Sequence, residues 1–252
     1  MNGDKIFTEL ETDWLGRELV LLDEVDSTNL HAARLLSEKK LKHGTVIIAK
    51  KQTAGRGRFN RSWYSDGGLC LTAALEIDSS LRDAGAVTLT TGTAVGLSLT
   101  SLVDWPFEIK YPNDIMAGGR KLGGIIAEVK KPFVILGIGI NVEQKFFPAE
   151  ISEKAVSLAQ LGMDVDRETV AVSIINMLEP MIDIFSEKGF GELRPYWIKM
   201  NCTLGKNVVI EKVKGQTRGK AIDLDDDGVL LVETKSGMER VNTGDVLLEQ
   251  SG

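Results

Sequence analysis

Apolar positions recur at helical spacing between Ser27 and Lys39, where Leu30, Ala33, Leu35 and Leu36 share a face and Ser27 or Thr28 can cap the first turn. A Val- and Ile-rich run at 45–50 predicts a strand. Glycines at 55, 57, 67 and 68 then break any period, so 51–68 is read as a loop, and 69–75 is a second strand. From Ala84 to Val103 no residue is charged, which predicts a buried helix bracketed by Asp83 and Asp104 and stopped by Trp105-Pro106. That run is long enough to cross a bilayer, but seven Ser/Thr residues lower its apolarity, and a core helix explains it better.

Beyond Phe107 the pattern turns to strands: 107–110, 115–117, 122–129 and 133–142, with Gly118-Gly119 as a hairpin signal. A helix from Asp166 to about Lys188 is closed by Gly189, and Pro180 should kink it. A shorter helix follows near 193–199. After Asn201 come five short strand-like runs, 208–213, 219–224, 229–233, 239–241 and 246–249, which predict a small barrel. The order is α+β, not strict βαβ alternation. The expected division is 1–200 for the main domain and 201–252 for the barrel.

A formal charge of -6 argues against a protein that coats nucleic acid non-specifically, although it allows a local basic patch. Cys70 and Cys202 lack CxxC spacing and read as free thiols in a reducing, cytoplasmic setting. His31 and His43 are the only histidines, too few for a His-rich metal site and unfavourable for a Ser–His–Asp triad. The N-terminus has no apolar run of signal-peptide length.

Three segments could carry chemistry. Lys50 to Trp63 holds five basic residues and no acid, with Gly55 and Gly57 alternating with Arg56 and Arg58. Glycine allows close backbone approach, and arginine offers a planar donor fork for carboxylate or phosphate. The same segment could also be an RGG-like nucleic-acid arm or a plain solvated loop. Lys110-Tyr111-Pro112-Asn113-Asp114, followed by Lys121-Leu122-Gly123-Gly124-Ile125, can converge on one ligand across a hairpin, or can simply be a hairpin with surface charge. Gly137-Ile138-Gly139-Ile140-Asn141 begins like a dinucleotide fingerprint, but Val142 replaces the last glycine and no helix pattern follows. There is no Walker A sequence. Asp223 to Gly228 opens like a calcium loop, but Thr234 stands where the closing glutamate belongs, so it reads as an acidic turn.

Taken in order, Asp26-Ser27-Thr28-Asn29, Gln52-Thr53-Ala54-Gly55-Arg56-Gly57-Arg58, the Lys110–Asp114 and Lys121–Ile125 segments and Gly137–Asn141 resemble the biotin–protein ligase family from about residue 20 onward. Lipoate ligases share that catalytic fold, but the arginine–glycine loop resembles the biotin branch. The resemblance implies a mainly antiparallel mixed sheet with packed helices, then a small SH3-like β-barrel. Two departures are mild: Tyr111 stands where the family usually has Trp, and Asn60 where glycine is common, Asn being tolerant of left-handed backbone. Only about twenty residues precede Asp23, too few for the helix-turn-helix domain of some members, so no operator binding is expected.

The resemblance also implies two steps: biotin's carboxylate attacks the α-phosphate of ATP, and an acceptor lysine then attacks biotinyl-AMP. A carboxylate is already ionised at pH 7, so the first step needs charge neutralisation and no general base. Arg56, Arg58 and Lys121 would hold carboxylate and α-phosphate. Ser27, Thr28 and Gln52 would bind the ureido ring, with Gly55, Gly124, Ile125, Gly137 and Gly139 lining its slot. Arg61, Asn113 and Asn141 would meet the nucleotide, Trp63 would pack on adenine or serve only as core, and Asp114 would receive or orient the acceptor lysine. ATP and biotin are the implied substrates, with Mg2+, and no direct side-chain metal ligand is assigned. The implied partner is a biotin carboxyl carrier domain; no nucleic acid and no membrane are expected, and a homodimer is left open. Residues 55–62 are expected to be mobile when empty and ordered with ligand. The rival in another class is a nucleic-acid module built on the 50–63 loop and the barrel, disfavoured by the acidic run from Asp223 to Glu233; a closer rival is an octanoate or lipoate transferase.

Overall fold

The computed structural model describes residues 2–76, 84–211, 215–241 and 245–248. The main sheet has seven strands: β1 (Leu19–Val25), β2 (Val46–Gln52), β3 (Gly68–Glu76), β4 (Glu108–Lys110), β5 (Asp114–Ala117), β6 (Arg120–Lys130) and β7 (Phe133–Asn141). Their spatial order is β1-β2-β3-β7-β6-β5-β4. Only β1 and β2 run parallel; the other neighbours are antiparallel.

The middle of this sheet is buried on both faces, so β2 and β3 read as continuous apolar runs. Ile47, Ala74 and Ile135 pack with Ala32 of helix α2 (Thr28–Ser37) on one side. Their neighbours Val46, Ile48, Ala73 and Val134 join the larger core on the other, formed with α3 (Ala84–Leu102), α4 (Arg167–Lys188) and α5 (Phe190–Met200). Alternate strand residues point to opposite faces, so each run feeds two cores.

α3 is the uncharged run, and it lies in the protein core. Four of its five threonines fold back on their own helix: Thr88 donates to the Ala84 carbonyl at 2.6 Å, Thr91 to Val87 at 2.8 Å, Thr93 to Leu89 at 3.0 Å and Thr100 to Gly96 at 2.9 Å, while the buried Thr90 hydroxyl has no partner among the described residues. Hydroxyls satisfied this way cost little when buried. Ser98 then meets Ser173 of α4 at 2.8 Å. α4 starts at the Asp166 cap, ends at Gly189 and runs unbroken through Pro180, so the expected kink does not interrupt it.

Two elements had no counterpart in the sequence reading. Helix α1 (Gly3–Glu9) is one short amphipathic piece docked on α4, and β1 is a half-exposed edge strand whose acids Asp23 and Glu24 pair with Lys50 and Lys51 of β2. The 13–15 backbone is held by Glu179, whose carboxylate accepts from the amides of Asp13, Trp14 and Leu15 at 2.6, 2.9 and 2.6 Å.

The C-terminal runs form a second sheet of five antiparallel strands: β8 (Asn207–Glu211), β9 (Gln216–Leu224), β10 (Leu230–Thr234), β11 (Gly237–Val241) and β12 (Asp245–Leu248), in the order β11-β10-β9-β8-β12. Among the described residues β11 and β12 are not paired with each other. Val213 and Glu249, the ends of two expected runs, lie outside the described residues. The sheet is fastened to the main body through Tyr111: its amide donates to Thr203 Oγ1 at 2.9 Å, its hydroxyl to the Val241 carbonyl at 3.1 Å, and its ring meets Trp197 edge-on at 6.3 Å. The tyrosine hydroxyl therefore has a hydrogen-bonding task at this position.

Candidate active site

A cavity of about 400 Å³ opens between the N-terminus of α2, the floor of β3, β6 and β7, and the loop after β2. Every candidate residue named above lines it except Gly55. Gly55 sits behind the wall: a Cβ there would lie 2.8 Å from the Trp63 carbonyl and 2.9 Å from Gln52 Nε2, so its role is close backbone packing.

One end of the cavity is crossed by hydrogen bonds among uncharged side chains and a single carboxylate, Glu128. Asp26 accepts both Arg34 nitrogens, at 2.7 and 2.9 Å, and the Ser27 amide at 2.7 Å. The Arg34 guanidinium, helped by the Ser27 amide, holds the Asp26 carboxyl at about 2 despite its desolvation. This clamp fixes the turn into α2. Ser27 occupies the cap position yet makes no capping hydrogen bond. The Thr28 amide is capped instead from β2, by Gln52 Oε1 at 2.7 Å, which the Thr28 hydroxyl also approaches at 3.0 Å. Thr72 Oγ1 of β3 lies 2.8 Å from Thr28 Oγ1 and 2.7 Å from Asn29 Oδ1, and Asn29 Nδ2 donates to Glu128 Oε2 at 3.0 Å.

Two glycines make room for this end and for the wall beside it. A Cβ on Gly137 would lie 2.5 Å from Asn29 Oδ1. One on Gly139 would lie 2.6–2.8 Å from Trp63 ring atoms, so the indole rests flat against the backbone of β7. The Gly-x-Gly of β7 thus serves a close-packed floor, with alternate residues facing the cavity. Trp63 forms a wall of the cavity here, and its buried Nε1 has no hydrogen-bond partner.

The other end is cationic. Arg58 Nη1 donates to Asn113 Oδ1 at 2.9 Å, and Lys121 Nζ pairs with Asp114 Oδ1 at 2.5 Å while lying 5.9 Å from the Trp63 ring. Gly124 clears the lysine stem: a Cβ there would be 3.2 Å from Lys121 Cε. Arg56, Arg61 and Lys154 also line the cavity. The Lys121 backbone is pinned by the 154–156 segment, its amide donating to Lys154 O at 2.7 Å and its carbonyl accepting from Val156 at 3.0 Å. Asn141 serves this scaffold: it is buried, its Nδ2 donates to Val156 O at 3.0 Å, and its Oδ1 accepts from Gln144 at 3.2 Å.

The arginine–glycine loop is closed on itself. Gly57 donates to the Arg61 carbonyl at 2.8 Å and Trp63 to Gly55 at 2.9 Å, with a 3-10 turn at Arg58–Asn60 between them. The left-handed residue is Phe59 (φ 56), one place before the Asn60 that the sequence pointed to. Its ring is exposed, and Arg58 and Arg61 flank it at 5.1 and 6.0 Å.

Sequence reasoning passed over several lining residues. Asn29 lay inside a quoted motif without a role. Glu128, Lys154, Phe147 and Ile151 belong to no motif; the 154–156 segment is held near by its pairing with Lys121, and Phe147 meets the Tyr64 ring edge-on at 6.0 Å. Cys70 also lines the cavity, and burial pushes its thiol up to about 12. Among the described residues no group of three His, Cys, Asp or Glu side chains gathers to hold a metal.

A slot lined by donors and acceptors that also holds Arg56, Arg58, Arg61, Lys121 and Lys154, on a mixed sheet with no phosphate loop, fits an α+β ligase that activates a small carboxylic acid. The comparisons agree. Residues 21–144 match the model of the biotin/lipoate A/B protein ligase family, and 203–248 that of the biotin protein ligase C terminal domain. The chain is 35% identical over 240 residues to the biotin–[acetyl-CoA-carboxylase] ligase of Mycobacterium tuberculosis, covering 92% of this chain and 89% of that one. It is 34% identical over 249 residues to the bifunctional ligase/repressor BirA of Bacillus spizizenii, covering 95% of this chain and 76% of the relative. The biotin protein ligase of Aquifex aeolicus, solved with biotin and ATP, superposes with a TM-score of 0.84 at 32% identity, over 93% of this chain and 100% of that one. This chain belongs to the biotin protein ligase family.

Proposed function

We propose that this chain activates biotin with ATP and transfers it to a lysine of a biotin carboxyl carrier domain. In the first step a carboxylate oxygen attacks the α-phosphorus, the bond to the β-phosphate bridge breaks, and pyrophosphate leaves with no proton transferred. In the second, the neutral amine of the acceptor lysine attacks the mixed anhydride's carbonyl, AMP departs, and the amine's proton passes to a carboxylate or to water. The observation that carries this reading is that Arg56 and Arg58 of one stretch and Lys121 of another line the same cavity as Ser27, Thr28 and Gln52.

Thr28 and Gln52 bind the ureido ring, and Ser27 stands with them at the hydrogen-bonded end. Lys121 and Arg56 take the carboxylate, which displaces Asp114 from Lys121. Arg58 and Arg61 face the phosphates, and Asn113 steadies Arg58. Mg2+ enters as part of the substrate MgATP. Asp114, released from Lys121, orients the acceptor lysine. Asn141 positions Lys121 from behind. The chain divides at about residue 200, the C-terminal sheet bracing the 111–114 turn through Tyr111. Two free thiols suit a cytoplasmic enzyme.

Biotin-dependent exchange of labelled pyrophosphate into ATP tests the first step alone. Exchange with biotin and none with lipoate is expected. Exchange with lipoate and none with biotin overturns the reading.

A further inference from the structure

Four side chains form an unbroken line across the hydrogen-bonded end of the slot: Glu128, Asn29, Thr72 and Thr28, ending on Gln52. The direction of each hydrogen bond follows from what each group can give. The Glu128 carboxylate only accepts, so Asn29 turns its amino group toward it and its carbonyl toward Thr72. At the other end the Thr28 backbone amide fixes Gln52 with its carbonyl oxygen inward. Two acceptors therefore face inward on a pair of hydroxyls. Three short oxygen–oxygen contacts, of 2.7, 2.8 and 3.0 Å, share only two hydroxyl protons.

With Thr72 donating to Asn29 and Thr28 donating to Gln52, both protons are spent on the ends. The middle contact between the hydroxyls has none. Thr72 is fully buried, whereas Thr28 lines the cavity. Thr28 thus turns an unanswered lone pair on whatever occupies the slot, and only a donor satisfies it. A buried acceptor left without a donor is costly.

We infer that Glu128 is a positioning residue that sets the polarity of this line and so makes the slot select a ligand carrying N–H groups at its head. The inference rests on the biotin reading above, since the ureido ring supplies such a donor and a dithiolane ring does not. Glu128 acts through Asn29 and Thr72. Replacing it by glutamine removes the clamp: both amides can turn over, the introduced carboxamide donating to Asn29, Asn29 to Thr72, Thr72 to Thr28 and Thr28 to Gln52. The line is then complete without ligand, and a Thr28 lone pair is consumed internally.

The test is Glu128→Gln, with biotin affinity measured by calorimetry and the melting temperature of the ligand-free protein measured alongside. Expected are about tenfold weaker biotin binding, unchanged ATP affinity, and a ligand-free melting temperature equal to or above that of the parent. Adding Asn29→Asp to Glu128→Gln restores an acceptor facing Thr72, and biotin affinity should recover. Unchanged biotin binding in Glu128→Gln overturns the inference, as does a fall in stability together with affinity, or a double variant no better than the single. Parent protein that binds lipoate and no biotin overturns the function itself, a result separable from all of these.

Discussion

The two ends of the slot are built differently. The hydrogen-bonded end is made by regular elements: the first turn of α2, the end of β2 and the middle of β3, locked by hydrogen bonds that exist without ligand. The cationic end depends on a loop tied mainly to itself and on a lysine paired with Asp114, a partner that we propose gives way to the incoming acid. Preorganised hydrogen bonds suit recognition of a rigid neutral ring. Cations that are first paired within the protein, then meet a carboxylate and a triphosphate, need partners they can exchange.

The largest expected effect is at Lys121. Lys121→Gln should lower the rate of pyrophosphate exchange by about a hundredfold or more, the scale of losing one charge-stabilising donor, with little change in biotinamide binding. Equal losses for both would erase the distinction between the ends. Arg58→Gly should come next: release of biotinyl-AMP should quicken by about tenfold or more, with indiscriminate labelling of bystander lysines, measured by adenylate dissociation and blotting. Unchanged dissociation would contradict a retaining role.

Gly139→Ala probes the floor shared by the ends. Its Cβ would meet the Trp63 ring at 2.6 Å, so the indole must shift, and biotin affinity should fall by about tenfold. Tyr111→Phe should cost about 1–2 kcal/mol of stability through the carbonyl of Val241 left without its donor, with biotin affinity near normal. The smallest effect is in pH dependence. Asp26 is held at about 2 by Arg34, below its usual value near 4, so its contribution is present at neutral pH, begins to fade below pH 4, and is gone as pH falls through 2. The pair is partly exposed, so its effect should be small; Asp26→Asn should flatten the acid limb of the stability profile only slightly.

How much of this was legible depends on whether a residue's task is local. The uncharged run of α3, the Gly118-Gly119 hairpin between β5 and β6 and the Asp166 and Gly189 boundaries of α4 carry their signals in neighbouring residues, and their elements are where the pattern put them. β1 was invisible because an edge strand interrupted by Asp23 and Glu24 has neither alternation nor a buried run. In the site, Arg56, Arg58 and Lys121 were legible as charge among glycines. Glu128 was not, because a lone acid near a strand end has no signature until Asn29 is seen against Gly137. The left-handed residue at Phe59 rather than Asn60 shows the same limit: loop closure between Gly57 and Arg61 set the backbone, whatever the residue preference.

The central claim is a division of labour, and the ratio of biotin to biotinamide affinity reads it most directly, since the two ligands differ only where the cations wait. In the parent protein the ratio should favour biotin by about tenfold or more, and in Arg56→Gln/Lys121→Gln it should fall close to one while biotinamide binding holds. A ratio that survives the double substitution would mean that these side chains do not face the acid.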